Sequence, residues 1–140
     1  MKLRETVTFG SADGLTAAIG IVLATAARGD ASVIHAMLGL LVAEGVGMGA
    51  FDFLSHEKTA AALREGTVMA LATSVPIILV ALPWLMVART TGVLASAGVA
   101  VVLAGMVAWG RAGAWTRWPI TYGVLAGVAG LAWLVGALWR

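Results

Sequence analysis

The sequence predicts an all-α integral membrane protein with five transmembrane helices, and two observations support this prediction. Of the 140 residues, 61% are hydrophobic and only 11% are charged, and the mean hydropathy is +0.97. Nine basic and seven acidic residues could not cover the core of a soluble chain of this length, which argues against a soluble enzyme. The charged residues also divide the chain into five apolar stretches, each long enough to cross a hydrocarbon core of about 30 Å.

The predicted spans cover residues 6–27, 32–53, 67–88, 90–110 and 118–139. Each stretch has room for one helix at a rise of about 1.5 Å per residue, and none has room for two. A β-barrel is not expected, since residues 77–82 and 99–104 are continuously apolar rather than alternating. The first stretch superficially resembles a secretory signal, but its length and the acidic Asp13 favour a retained helix. We therefore expect one five-helix domain over residues 1–140.

Basic residues predict the orientation, because Lys and Arg in short loops stay on the cytoplasmic side. One side of the predicted bundle receives six of them and the other three: Lys2, Arg4, Lys58, Arg64, Arg111 and Arg117 against Arg28, Arg89 and Arg140. This places the N-terminus in the cytoplasm and the C-terminus outside. The plasma membrane is the favoured location, with an organelle membrane as the alternative. The basic residues stand singly between apolar runs, so no nucleic-acid partner is expected.

Two carboxylates inside the predicted spans are the main indication of function. Asp13 lies in the first span and Glu44 in the second, whereas the last three spans contain no charged residue. A charge at the bilayer centre costs about 2.5–3.5 kcal/mol on insertion scales, so it normally faces a partner, water or an ion path. Counted from the cytoplasmic side, Asp13, Glu44 and Met48 lie at depths of about 10, 13 and 7 Å. No basic residue is expected at that depth, which makes a cation the natural complement.

The donor types suggest which cation would bind. The chain has no cysteine, so carboxylate oxygens and the Met48 thioether are the expected ligands, and a soft sulfur favours a transition metal such as iron(II). Asp52 and Glu57 form a possible acidic mouth to the path, or are simply solvated. His35 and His56 are expected at the membrane interface rather than as ligands. In a second interpretation, Asp13 and Glu44 are protonated and hydrogen-bonded, and only hold two helices together.

Glycine and proline mark further features of the predicted helices. Three pairs of glycines are spaced by four, which lets neighbouring helix backbones approach closely: Gly10 and Gly14, Gly45 and Gly49, and Gly123 and Gly127. Pro76 and Pro83 fall inside the third span, where each removes a backbone donor and favours a kink or a local unwinding.

Two motifs resemble those of the vacuolar iron transporter family of divalent-metal transporters. The first runs from Arg4 to Leu15 and contains Ser-Ala-Asp-Gly-Leu at residues 11–15; the second is Ala-Glu-Gly-Val-Gly-Met-Gly-Ala-Phe-Asp-Phe-Leu-Ser at residues 43–55. The resemblance implies five helices, a homodimer with the ion path at the subunit interface, and ligands at Asp13, Glu44 and Met48. Gly47, Phe51, Asp52 and Phe53 depart from the family pattern. Residues 54–66 are also too short for the metal-binding helices that many members carry there.

The expected function is therefore a homodimeric transporter in the lipid bilayer that moves iron(II) or manganese(II) out of the cytoplasm in exchange for protons. The metal would be cargo, and no tightly bound cofactor or enzymatic activity is expected. Two alternatives remain open: a non-transporting subunit that packs against a larger membrane complex through its glycine-rich faces, and a proton or small-solute carrier that uses the same carboxylates without metal.

Overall fold

The computed structural model describes residues 3–56, 59–87, 89–112 and 118–138. These residues form helices throughout, without a strand: α1 (Leu3–Thr25), a 3-10 turn (Ala26–Arg28), α2 (Asp30–Leu40), a π-helix (Leu41–Val46), α3 (Gly47–Ser55), α4 (Ala60–Met86), α5 (Arg89–Ala112) and α6 (Trp118–Leu138). The second predicted span is thus a continuous helical rod built from α2, the π-helix and α3.

Five of these helical segments are long and apolar enough to cross a membrane, which confirms the predicted number of spans. They are Leu3–Thr25, Asp30–Ser55, Ala60–Met86, Thr91–Gly110 and Trp118–Leu138. The third begins at Ala60 rather than at residue 67. The Thr59 hydroxyl caps it by accepting a hydrogen bond of 3.2 Å from the Ala62 N–H, and the three alanines that follow Thr59 favour helix. Arg64 and Glu65 therefore lie within α4 and not in a loop.

A tight turn joins the first two spans. Gly29 has a φ of 109°, a backbone conformation that side-chain-bearing residues rarely adopt. Its carbonyl accepts hydrogen bonds from the backbone N–H groups of Ser32 and Val33, at 3.1 and 3.3 Å, which begins α2. The chain thus reverses direction within a few residues, and α2 returns antiparallel to α1.

Helix α4 is central to the bundle and packs against α1, the whole second span and α5. Leu15, Val33, Ile77 and Val80 are almost completely buried in this core. Ser96 on α5 is also buried, and its hydroxyl donates a hydrogen bond of 2.8 Å to the Val80 carbonyl on α4. The helix continues without interruption through Pro76 and Pro83. The predicted local unwinding at the prolines is thus not observed, and the backbone irregularity lies in the second span instead.

Two of the three predicted glycine pairs do bring helices together. A Cβ at Gly14 would collide with the backbone carbonyl of Thr73, and one at Gly45 would collide with the Ser74 hydroxyl. Both contacts are with α4, so α1 and the second span press against it through glycine. Gly123 and Gly127 on α6 differ, because no atom of the described residues lies within 4 Å of a Cβ placed at either position.

Contacts at both ends of the bundle fix the relative directions of the helices. The Arg4 side chain donates a hydrogen bond of 3.1 Å from Nε to the Gly110 carbonyl, so α1 begins where α5 approaches its end. Far from this contact, a Cβ at Gly136 would lie 3.1 Å from Ala24, so α6 ends beside the end of α1. We call these two ends of the bundle the Arg4 end and the Arg28 end.

Candidate metal centre

Glu44 lies within the π-helix, the one non-α turn in the middle of the second span. The segment Leu41–Val46 has no proline, and its carbonyls are used by i→i+5 hydrogen bonds. Such turns are rare and are often found at functional sites. Residues four apart, such as Glu44 and Met48, share a face of an uninterrupted α-helix, but the π-helix changes this register. The Glu44 side chain is partly buried.

Asp13 and Glu44 lie at one level of the bundle. Each is followed in the chain by a glycine that contacts α4: Gly14 lies against Thr73, and Gly45 lies against Ser74. Since Thr73 and Ser74 are consecutive residues, the two carboxylate-bearing positions flank the same turn of α4. This agrees with the common depth expected from the sequence for these two residues.

Met48 lies nearer the Arg4 end than Glu44 does. Its neighbour Gly49 faces Ala70 and the Gly66 carbonyl on α4, and a Cβ at Gly49 would lie 2.6 Å from each. Along α4, these contacts lie one to two turns nearer the Arg4 end than Ser74 does. The Met48 side chain is partly buried, as are those of Asp13 and Glu44.

Asp13 opens onto a cleft at the Arg4 end. The cleft has a volume of about 670 Å³ and is lined by α1 and the end of α5, through Arg4, Glu5, Thr8, Phe9, Ala12, Asp13, Thr16 and Gly110. Neither Glu44 nor Met48 is among these lining residues. The two acids thus lie at one level, but the Asp13 cleft does not enclose all three predicted ligands.

Both intramembrane carboxylates are unpaired within the part of the chain that the structure describes. Asp13 and Glu44 make no hydrogen bond or ion pair with another described residue. Two hydroxyls that line the same cleft as Asp13 are used elsewhere: Thr8 donates to the Arg4 carbonyl and Thr16 to the Ala12 carbonyl, both at 2.7 Å. Each hydroxyl has one hydrogen to donate, so neither stabilises the Asp13 carboxylate. The hydrogen-bonded acid pair of the second interpretation is thus not found among these residues.

The predicted acidic mouth has a different composition from the one expected. Glu57 lies outside the described residues. Asp52, at the end of α3, is joined instead by His56 and by Glu65 from α4, and one potential ligand atom of each lies within 4.8 Å of the others. Sequence reasoning assigned His56 to the interface and did not consider Glu65, which falls in the stretch that was expected to be a loop. Recognition of Thr59 as a helix cap would have placed Glu65 in the second turn of α4.

No family model, curated protein or solved structure matches the chain. The resemblance to the vacuolar iron transporter family therefore rests on the residues of the two motifs, which carry Asp13, Glu44 and Met48.

Proposed function

We propose that this chain carries a divalent transition-metal cation, iron(II) or manganese(II), across a membrane in exchange for protons. Asp13 and Glu44 bind the partly dehydrated ion, and Met48 adds a soft ligand. The proposal follows the family resemblance and agrees with the arrangement of the acidic residues in the bundle.

One observation carries the proposal: two partly buried carboxylates lie at one level of an apolar bundle without a hydrogen-bond or ion-pair partner among the described residues. Ionised carboxylates are costly within a bilayer and are retained where a partner, water or an ion path offsets the cost. Purely structural acids would be expected to hydrogen-bond to neighbouring hydroxyls, yet Thr8 and Thr16 donate to backbone carbonyls. A divalent cation would neutralise both carboxylates at once.

The same carboxylates can couple metal movement to proton movement. A carboxylate must be deprotonated to bind a metal, so metal and protons compete for the oxygens of Asp13 and Glu44. An ion taken up at one side of the membrane is released when protons arrive from the other side. The excess of Lys and Arg favours a cytoplasmic Arg4 end, and in this orientation a proton gradient directed inward drives metal outward.

A second copy of the chain completes the path in this proposal. The Asp13 cleft of one chain contains neither Glu44 nor Met48, so this cleft alone does not surround an ion with all three ligands. A homodimer with the path between its subunits, as the family resemblance implies, would cover the cleft and supply further ligands. The multi-pass bundle lies in the plasma membrane in this proposal, with lipid around its apolar outer faces.

Uptake into liposomes tests the proposal. Purified protein is reconstituted, a pH gradient is imposed, and iron(II) and manganese(II) uptake are measured for the wild type, Asp13→Asn and Glu44→Gln. We expect gradient-dependent uptake in the wild type and its loss in both variants. Asp30→Asn is a matched control, because it neutralises an acid at the start of α2, far from the Arg4 end, and should leave uptake unchanged.

Other outcomes favour other functions. Well-folded, reconstituted wild type that moves neither metal would reject the proposal. Recovery with a fixed set of membrane proteins would then indicate a subunit of a larger complex. Proton flux that persists without metal but is lost in Asp13→Asn would indicate a proton carrier.

A further inference from the structure

Helix α3 and the second turn of α4 meet at backbone distance. A Cβ at Gly49 would lie 2.6 Å from the Gly66 carbonyl oxygen, and a Cβ at Gly66 would lie 2.6 Å from the Gly49 carbonyl oxygen. The contact is reciprocal and possible only because both positions are glycine. Gly49 lies in the first turn of α3, and a Cβ at Gly66 would also lie 3.1 Å from the Cβ of Phe53 in its last turn. These contacts hold α3 along the second turn of α4 and so bring Asp52 next to Glu65.

Three side chains with metal-ligating atoms converge at this contact. A carboxylate oxygen of Asp52, a ring nitrogen of His56 and a carboxylate oxygen of Glu65 all lie within 4.8 Å of one another. Ligands that share one ion at about 2.1 Å are separated by at most about 4.2 Å, so small side-chain rotations are enough to close the set around an ion. Asp52 and Glu65 are partly buried, whereas His56 is exposed.

One oxygen of Asp52 independently indicates a missing partner. Asp52 Oδ2 is buried and, within the described residues, receives no hydrogen bond. A carboxylate oxygen removed from water without a compensating partner is unfavourable, and a bound cation would provide that partner.

The hydrogen bonding of the His56 ring leaves one ring nitrogen for a metal. Its Nδ1 lies 2.8 Å from the Asp52 backbone carbonyl, which can only accept a hydrogen bond, so Nδ1 carries the proton. The lone pair is then on Nε2 and is available to a cation. Metal-binding histidines usually donate their other ring N–H to a carbonyl or carboxylate in this way, which fixes the tautomer.

We propose that Asp52, His56 and Glu65 form a binding site for a divalent first-row transition metal, separate from Asp13 and Glu44. Two carboxylates neutralise the charge of the ion, and the imidazole favours a transition metal over magnesium or calcium. Three protein ligands leave coordination positions for water, so the ion can exchange with the solution at the Arg4 end. The inference does not depend on transport.

Manganese(II) bound to the purified full chain tests this site. The chain has two histidines, His35 and His56, so an electron spin echo signal from nitrogen bound to manganese identifies the histidine once any affinity tag is removed. We expect this nitrogen coupling in the wild type and in His35→Gln, and its loss in His56→Gln. Asp52→Asn and Glu65→Gln should each weaken manganese binding by about tenfold or more.

Asp13→Asn separates this site from the proposed transport path. It should keep the nitrogen coupling, whether or not it abolishes uptake. Circular dichroism and size-exclusion chromatography establish that each variant is folded. Folded wild type without nitrogen-coupled manganese, or coupling that persists in folded His56→Gln, would overturn the proposal; if His56→Gln does not fold, the affinities of Asp52→Asn and Glu65→Gln decide, and unchanged values would overturn it.

Discussion

The backbone of Gly14 on α1 lies directly against the carbonyl of Thr73 on α4, with no space for a side chain between them. Gly45 on the second span lies against the side-chain hydroxyl of Ser74, the next residue of α4. These two contacts hold α1 and the π-helix on the same turn of α4. The level shared by Asp13 and Glu44 is therefore a consequence of glycine packing beside each carboxylate.

Gly14→Ala tests this packing. The added methyl would meet the backbone of Thr73, which cannot move aside as the end of a flexible side chain could. We expect the free energy of unfolding to fall by about 1–3 kcal/mol, as for other overpacked cores, with a lower thermal denaturation midpoint in detergent. Uptake by reconstituted protein should fall too, because α1 must shift relative to α4.

Gly20→Ala is the matched control for this substitution. Gly20 is on the same helix, and no heavy atom of the described chain lies within 4 Å of a Cβ placed there. Both variants gain the helix propensity of alanine, so the control should be neutral or stabilised by up to about 1 kcal/mol. Equal denaturation midpoints for the two variants would show that the Gly14 contact does not determine stability.

Met48→Leu tests the thioether as a ligand. Leucine has a similar volume but no sulfur, so packing should be nearly preserved while a soft donor is lost. We expect the ratio of iron(II) to manganese(II) uptake to fall by about tenfold, because manganese depends less on sulfur. Initial rates of uptake of the two ions, measured on the same liposome preparation, give this ratio.

Met37→Leu provides the comparison for Met48→Leu. Met37 lies in the same span but is buried in the core, with 2% of its surface exposed. Met37→Leu should leave the ratio of iron(II) to manganese(II) uptake unchanged. If Met48→Leu also leaves the ratio unchanged, Met48 serves only in packing.

Single-cysteine variants test the proposed dimer, since the chain has no native cysteine to interfere. Ala12 lines the cleft beside Asp13, whereas Leu131 on α6 is 66% exposed. If the path lies on a twofold axis between two clefts, the Ala12 positions of the two copies approach each other. We expect an oxidant to produce a disulfide-linked dimer from Ala12→Cys and not from Leu131→Cys, as seen on non-reducing gels.

A link through Leu131→Cys alone would place the dimer contact on α6 and contradict a path between the Asp13 clefts. A wild-type chain that is monomeric in the membrane would also contradict a path between two Asp13 clefts.

Sequence reasoning was accurate where each segment could be judged by itself. The five spans follow from apolar length, and Asp13 and Glu44 stand out because a charge in an apolar stretch is costly wherever the helix packs. Apolar length alone does not predict the start of α4, because Arg64 and Glu65 interrupt the apolar segment while the Thr59 cap extends the helix beyond it. The π-helix at Glu44 is not predicted from the sequence, because no proline or glycine pattern there indicates a change from the α-helix.

The amino-acid sequence is enough to predict five apolar helices and to locate Asp13 and Glu44 deep within the first two, because the free energy of placing a residue in the membrane depends mainly on its own segment. Only the packing of the helices shows which glycines contact α4 and that Glu65 lies beside Asp52 and His56. These relationships depend on the packing of segments that are distant in the chain. Helix packing is set by the fit between two surfaces, so neither surface alone reveals which residues will meet.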